Sequence, residues 1–277
     1  MEDERFDAIV IGGGVAGLSA AMTLARANAK FLLVERGEFA GAKNVSGGVL
    51  WGSDLAKLVP EYWEEEDGGW ERFVNHRRLS LMDEQSAFTL DFKSSHWNQP
   101  PYTGVVVLRA RFDNWLAGKV QEAIDASDYA EESFIATDIK VDQVLMEGGR
   151  AVGIKTGDEE FHAQVVIIAE GVNNLLTRQV GLQTDYVPAD HMLTGIKEII
   201  RFDQQRLEDR FQLRGRSGMS NEFVGWATDG VEGGGFLYTN KDTLSVGLVL
   251  SIADLRAQKK SPHDILSHFK SHPVVAD

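Results

Sequence analysis

A glycine-rich turn between a predicted strand and a predicted helix is the feature that most constrains the fold. The short apolar run Phe6–Ile11 predicts a buried strand. Residues 12–17, GGGVAG, fit the spacing G-x-G-x-x-G. The alanine- and leucine-rich segment 15–28 predicts a helix that begins within this turn. A second apolar run, Phe31–Val34, closes a β–α–β unit. This order of elements predicts a Rossmann-like α/β domain.

The spacing of the turn has a physical reason that points to a dinucleotide. Gly12 allows the tight turn, Gly14 lets the backbone approach a pyrophosphate, and Gly17 lets the helix pack closely on the strand. The helix N-terminus then presents N–H groups and a positive dipole end to the phosphates. Glu35 ends the second strand, where a carboxylate accepts hydrogen bonds from ribose hydroxyls. With Arg36 beside it, these residues alone leave FAD and NAD both open.

Composition narrows the class of protein further. The formal net charge of −14 argues against nucleic acid as a partner, because such a chain repels phosphate backbones. With no cysteine among 277 residues, the chain has no disulfide framework, no thiolate nucleophile and no ligand for a cysteine-bound iron–sulfur cluster. No signal peptide is recognised and no apolar run approaches ~20 residues, so we expect a cytoplasmic protein.

The rest of the chain alternates between helical and extended patterns. Residues 36–48 are small and polar and are expected to form a loop. Segments 78–83 and 87–92 predict two antiparallel strands, and the apolar run 165–169 suits a central parallel strand. Further predicted elements are a strand at 105–108 followed by a helix, a hairpin at 141–156 that turns at Gly148-Gly149, strands at 194–202, 222–227, 235–239 and 244–252, and a helix at 261–271.

Two segments resemble the glutathione-reductase-type flavoproteins, whose FAD-contacting pieces are scattered along the chain. Residues 108–116, LRARFDNWL, are similar to the strand–arginine–helix piece beside the flavin. Residues 166–171, VIIAEG, are similar to the apolar strand that ends in an acidic residue and a glycine. The resemblance implies FAD as the cofactor and a contact between it and Arg109, against the alternative of a surface arginine at a helix start. Glu170 stands where the wider group has aspartate.

A closer resemblance, to FixC-type flavoproteins, covers nearly the whole chain. These are relatives of electron-transfer-flavoprotein–quinone oxidoreductase within the geranylgeranyl reductase superfamily. The segments that carry the resemblance are 41–50 (GAKNVSGGVL), 195–198 (GIKE), 209–213 (DRFQL), 233–240 (GGGFLYTN) and 244–249 (LSVGLV). Together with the glycine fingerprint, it implies a set of cofactor-binding residues that consists of Gly12, Gly14, Val15, Ala16, Gly17, Glu35, Arg36, Ala42, Asn44, Ser46, Gly47, Arg109, Glu170 and Gly171.

The resemblance also implies a domain organisation. The expected fold class is α/β, with a Rossmann-like FAD-binding domain at 1–77 and 104–190. An antiparallel-sheet substrate domain, on the quinone side, is inserted at 78–103 and 191–277. The third signature of FAD-binding proteins, a strand followed by Gly-Asp, is not found in the sequence. We therefore expect the C-terminal part to be missing and the sheet of the first domain to have an uncovered apolar surface.

The function implied by the resemblance is electron transfer from an electron-transfer-flavoprotein-like partner through FAD to quinone. A ferredoxin-like subunit and peripheral contact with the inner face of the membrane are implied with it, as is a link to nitrogen fixation. Since the flavin performs the redox chemistry, no catalytic side chain is expected. No metal site is expected either, because His268 and His272 are interpreted as a surface pair without a third ligand.

Two other functions stay open at this stage. One is a flavin-dependent reductase or monooxygenase of the geranylgeranyl-reductase type. The other is a degenerate, non-catalytic subunit, which the absence of the third signature favours and the intact fingerprint opposes.

Overall fold

The computed structural model describes residues 5–183 and 186–276. The strands are β1 (Phe6–Ile11), β2 (Phe31–Val34), β3 (Gly47–Trp51), β4 (Trp70–Met82), β5 (Ala87–Lys93), β6 (Gly104–Leu108), β7 (Phe134–Ala136), β8 (Gln143–Glu147), β9 (Arg150–Thr156), β10 (Glu159–Ile168), β11 (Leu193–Arg201), β12 (Ser217–Gly225), β13 (Gly233–Thr239) and β14 (Thr243–Ser251). The helices are α1 (Val15–Arg26), α2 (Gly52–Leu58), α3 (Arg109–Asp125), α4 (Leu175–Gln179), α5 (Gln204–Phe211), α6 (Ile252–Gln258), α7 (Pro262–Ser271) and α8 (Pro273–Ala276). None of the described helices is both long and apolar enough to cross a membrane.

The chain forms two compact units, and their bounds differ from the expected domains. The first unit comprises Met1–Val45, Asp67–Gly69 and Arg109–Tyr186, and the second comprises the remaining segments, Ser46–Glu66, Trp70–Leu108 and Val187–Asp277. Residues 46–66, 70–77, 104–108 and 187–190, which the sequence suggested for the FAD-binding domain, thus lie in the second unit. For the strands the reason is pairing: β4 pairs with β12 and β5, and β6 and β3 extend the same sheet.

The first unit is built on a six-stranded sheet with the order β7-β2-β1-β10-β9-β8. The strands β7, β2, β1 and β10 run parallel, which confirms the predicted β–α–β unit and the predicted parallel strand at 165–169. The predicted hairpin is also confirmed, since β8 and β9 pair antiparallel across Gly148 and Gly149. Helix α1 packs against β1, β2 and α3.

The apolar side chains of this sheet are not all buried to the same extent. In β1, Ala8 is 3% exposed and Val10 is fully buried. Their partners across the parallel ladder are Val165 and Ile167 of β10, and Val165 is 53% exposed. An apolar residue so exposed on a central parallel strand is unusual, because such strands are normally covered on both faces. The expected uncovered apolar surface is therefore not found on β1 or β2, whose residues are almost all buried, and the exposed apolar side chain of these three strands is Val165 of β10.

The second unit contains a sheet with the order β11-β14-β13-β12-β4-β6-β3, to which β5 adds by pairing with β4. The pairing of β4 with β5 is antiparallel as predicted, and the four predicted C-terminal strands are present as β11 to β14. Among the strands of this sheet, β3 and the first half of β4 were not predicted. β3 begins at Gly47, inside the expected loop, and β4 begins at Trp70 and pairs with β6 and β12 over its charged, buried first half.

The charge of Arg72, in the first half of β4, is compensated by a network of hydrogen bonds and one ion pair. The Arg72 side chain is 2% exposed and donates from Nε to the Asn240 carbonyl at 2.6 Å and from Nη2 to Glu208 at 3.1 Å. Further donor bonds reach the carbonyls of Gly215, Ser217 and Lys241. A buried guanidinium needs this many partners to offset the loss of its hydration.

The histidine pair on α7 and after it is not a surface pair, so that interpretation was wrong. His272 is fully buried, and its Nε2 lies 3.1 Å from the Asp83 carbonyl. The His268 ring stacks on Trp226 with 3.5 Å between ring centroids, and the His272 ring meets the same indole edge-on at 4.8 Å. The two histidines therefore pack around a tryptophan that the sequence did not connect with them.

Candidate functional site

The turn between β1 and α1 has the geometry that its glycines were predicted to provide. Gly12 has φ of +110°, and a Cβ there would lie 2.4 Å from the Ala169 carbonyl oxygen. A Cβ on Gly17 would lie 1.8 Å from the carbonyl oxygen of Gly12. Both positions thus exclude any side chain, and Gly17 serves the packing of helix on strand.

Gly14 is different, because its surroundings are open. It precedes α1 in an extended conformation, with φ of −83° and ψ of 179°, and no side chain caps the helix. The nearest atoms to a Cβ at this position would be Nη2 of Arg109 at 3.6 Å and Nδ2 of Asn44 at 3.8 Å. Two side-chain donors therefore lie beside an uncapped helix N-terminus, which is an arrangement that binds anions.

Those two donors are held by one buried carboxylate. Asp113 is fully buried on α3 and accepts from Arg109 Nε and Nη2, each at 2.8 Å. Its Oδ2 also accepts from Asn44 Nδ2 at 2.5 Å. A guanidinium has five N–H donors, so this bidentate pair leaves donors of Arg109 available for a ligand.

The loop that carries Asn44 can approach α3 only because residue 41 is glycine. Gly41 has φ of +92°, and a Cβ there would lie 2.6 Å from Cβ of Asp113. The Asn44 N–H donates to the Gly41 carbonyl at 2.8 Å, which closes the turn. The small residues of this loop therefore have a defined purpose, which is to bring Asn44 against Asp113.

Glu35 lies at the end of β2 with both carboxylate oxygens engaged by the backbone. Oε2 accepts from the Gly13 N–H and Oε1 from the Gly37 N–H, each at 2.7 Å. These bonds fix the carboxylate next to the glycine turn. Since an ionised carboxylate has about four lone-pair sites, Glu35 retains acceptor capacity for ribose hydroxyls.

A cleft of about 740 Å³ runs along these groups within the first unit. Its volume is within the range of small-molecule and cofactor sites. The predicted site residues that line it are Gly12, Gly14, Val15, Ala16, Glu35, Arg36, Asn44, Arg109, Glu170 and Gly171.

The remaining predicted residues do not line this cleft. Gly17 lies beneath the turn, and the Ala42 methyl group would contact a Cβ at Gly37 at 3.1 Å. Ser46 and Gly47 belong to the second unit, where Gly47 is paired with Leu108 in the β3–β6 ladder.

Glu170 lines the cleft, but its carboxylate is used to cap α4. Oε2 accepts from the Leu176 N–H at 3.0 Å, and Oε1 accepts from the Thr177 N–H at 2.7 Å and from the Thr177 hydroxyl at 2.8 Å. Burial opposes ionisation of this group, but the hydrogen bonds outweigh it and hold the pKa of Glu170 below its usual value. The carboxylate is therefore a helix cap, and a glutamate in place of aspartate has the length to reach α4.

Sequence reasoning missed two charged contributors to the site. Asp113 is within the quoted segment 108–116, and its i, i+4 spacing from Arg109 on a helix was a usable signal for an ion pair. Lys140 also lines the cleft and pairs with Asp142 at 2.8 Å, but no motif marks it.

Three features of this site define a dinucleotide-binding domain of the flavoprotein type. They are a glycine turn at a helix N-terminus, a fixed carboxylate after the second strand, and an arginine beside the turn. Comparison with known proteins agrees with this class. Residues 7–134 match the family described as FAD dependent oxidoreductase.

Particular relatives match the whole chain. The chain is 41% identical over 276 residues to Protein FixC of Salmonella typhimurium, which covers 100% of the chain and 62% of that protein. It is 39% identical over 278 residues to the probable electron transfer flavoprotein-quinone oxidoreductase YdiS of Escherichia coli, covering 99% of the chain and 62% of YdiS. The chain thus spans less than two thirds of the length of these relatives.

Among solved structures, the chain resembles a geranylgeranyl bacteriochlorophyll reductase-like protein from Thermoplasma acidophilum. The TM-score is 0.74 at 19% identity, over 99% of this chain and 63% of the other. Together, the comparisons confirm the predicted resemblance to FixC-type flavoproteins, the α/β fold class and FAD as the predicted cofactor.

The open side of Gly14 gives a test of the binding turn. Valine adopts the extended conformation of Gly14 without strain, and its Cβ would meet protein atoms only at ordinary contact distances. Gly14→Val should therefore leave folding intact but place methyl groups where a pyrophosphate must approach. We expect FAD affinity, measured by fluorescence titration, to fall at least ~100-fold. Gly118→Val, at a helix position with open space around it, is the matched control. Equal affinity of the Gly14 variant and this control would refute the assignment.

The Arg109–Asp113 pair gives a second test, which separates binding from folding. Arg109→Ala leaves a buried carboxylate without its main partner, so we expect the free energy of unfolding to fall by ~2 kcal/mol or more. FAD affinity should fall about 10–100-fold. Adding Asp113→Ala to the same chain should restore much of the stability but none of the affinity. The assignment fails if the double variant binds FAD like the unaltered chain.

Proposed function

We propose that the chain binds FAD along the cleft of the first unit and passes electrons from an electron-transfer-flavoprotein-like donor to a quinone. The observation that carries the binding proposal is the convergence of Arg109 and Asn44 on the open side of Gly14. Whole-chain similarity to FixC and to YdiS supports the electron-transfer proposal.

In this proposal each part of the cleft holds one part of the cofactor. The backbone N–H groups of Val15 and Ala16, at the start of α1, receive the pyrophosphate together with Arg109 and Asn44. The Glu35 carboxylate receives ribose hydroxyls through its remaining lone pairs. Arg36, Gly171 and the segment 139–142 provide the other walls of the cleft.

Bound FAD supplies the redox chemistry, so the protein needs to contribute binding, orientation and electrostatics and no nucleophile. Reduction of a quinone to its quinol consumes two electrons and two protons, with the electrons arriving from the donor flavoprotein and the protons from water. We extend the proposal to a ferredoxin-like subunit, because this chain has no cysteine to ligate an iron–sulfur cluster. A contact with the membrane surface, where a lipid-soluble quinone resides, belongs to the same proposal.

The structural likeness to a geranylgeranyl-reductase-like protein does not favour a prenyl reductase. At 19% identity it shows a shared fold, and a fold hosts many functions. No described contact in this chain favours a prenyl substrate over a quinone.

An electron-acceptor experiment tests the proposal. The chain is loaded with FAD, reduced anaerobically with dithionite, and mixed with menadione or with air-saturated buffer while flavin absorbance is followed. Electron transfer to quinone predicts reoxidation by menadione at least tenfold faster than by oxygen. Rapid reoxidation by oxygen and none by menadione would favour an oxygen-using monooxygenase. A chain that takes up no FAD in buffer would refute the binding proposal itself.

A further inference from the structure

The second unit contains a buried lysine amine that has no partner. Nζ of Lys197, on β11, is inaccessible to solvent and makes no hydrogen bond. The other buried side-chain atoms without a partner, within 5–183 and 186–276, are on neutral tryptophan, asparagine and histidine side chains. A cation without a partner is the most costly of these groups, because burial removes the hydration that stabilises its charge.

The amine lies where the two edges of the sheet approach each other. β11 and β3 are at opposite ends of the strand order, yet a Cβ on Gly47 of β3 would lie 2.9 Å from Nζ of Lys197. The lysine side chain therefore reaches from β11 to the backbone of β3. The same Cβ would lie 2.6 Å from the Val107 carbonyl oxygen, so residue 47 must be small for the amine to reach this position.

An aromatic surface flanks the lysine stem. Gly247 is the cross-strand partner of both Lys197 and Phe236, and a Cβ on it would lie 2.7 Å from Cβ of Lys197 and 2.5 Å from Cζ of Phe236. The glycine thus leaves a slot that brings the phenyl ring and the lysine stem together. The Phe236 ring also stacks on Tyr238, with 4.9 Å between centroids and 14° between planes. The Phe236–Tyr238 pair therefore presents aromatic surface beside the lysine stem.

Within the part of the chain that the structure describes, no carboxylate pairs with the lysine. Glu198, the next residue, pairs with Lys270 at 2.6 Å. Glu222, opposite Phe236 in the β12–β13 ladder, pairs with Arg77 at 2.8 Å. Burial alone accounts for the lowered pKa of Lys197. A ligand with a negatively charged oxygen would supply the electrostatic partner that this ammonium lacks among the described residues.

We propose that Lys197 binds a conjugated carbonyl oxygen that gains negative charge when its ring system is reduced. This inference rests on the redox function proposed above and names a residue for it. A quinone carries such an oxygen, and the aromatic rings of Phe236 and Tyr238 suit its planar ring. Lys197 forms no covalent bond. It donates a hydrogen bond and places a positive charge next to the developing negative charge, which favours the reduced form.

The first arm of the test does not depend on FAD. The probe is 2-hydroxy-1,4-naphthoquinone, a conjugated carbonyl compound that is an anion at neutral pH, titrated calorimetrically into the FAD-free chain. Lys197→Met keeps the stem against Phe236 but removes the charge, and loss of an unpaired buried charge should not lower the melting temperature. Lys270→Met is the control, because it removes a paired and partly exposed cation. We expect binding at least tenfold weaker in Lys197→Met and unchanged in Lys270→Met. Failure of the chain to bind the probe, or equal binding by both variants, overturns the proposal.

The second arm uses the FAD-loaded chain with menadione as the electron acceptor. Lys197→Met should raise KM for menadione about tenfold and leave the flavin potential the same. An unchanged KM overturns the proposal. If the chain binds no FAD while the first arm succeeds, the proposed function fails and the Lys197 site stands.

Discussion

The buried carboxylate of Asp113 is the group on which the candidate site depends. It is fully buried and accepts from Arg109 and Asn44 at 2.5–2.8 Å. A carboxylate removed from water is tolerated only when it is paired and hydrogen-bonded, so Asp113 in effect requires both donors to point inward. Their unused N–H groups are then fixed beside Gly14. Preorganised donors bind an anion without the loss of side-chain entropy that flexible arginines incur.

The β–α–β unit provides the other half of this arrangement. Parallel pairing of β1 with β2 and with β10 brings the glycine turn, Glu35 and Glu170 to the carboxyl ends of neighbouring strands. Ligands of open α/β sheets bind at this edge. Two contacts between carboxylate and backbone then fix the turn, because Glu35 binds the N–H groups of Gly13 and Gly37. These hydrogen bonds shape one wall of the cleft.

The sequence predicted those parts of the molecule that depend on local pattern. Strands β1 and β2 have the predicted bounds, since a buried parallel strand is one continuous apolar run. What it missed depends on tertiary contacts. The first half of β4 contains Arg72, which is charged yet buried because five partners surround it. His272 was taken for a surface residue, and only the fold shows that it packs on Trp226. The resemblance located Glu170 at the cleft, but the capping of α4 by its carboxylate follows from three hydrogen bonds that no motif encodes.

A crystal structure of the chain grown with FAD tests the central claim most directly. The account predicts pyrophosphate oxygens within about 3.2 Å of the Arg109 guanidinium and of the N–H groups that follow Gly14. It also predicts bidentate bonds from Arg109 to Asp113 at about 2.8 Å in the same crystal. FAD bound with its pyrophosphate away from Gly14, or with Arg109 turned from Asp113 and from the cofactor, would contradict the account.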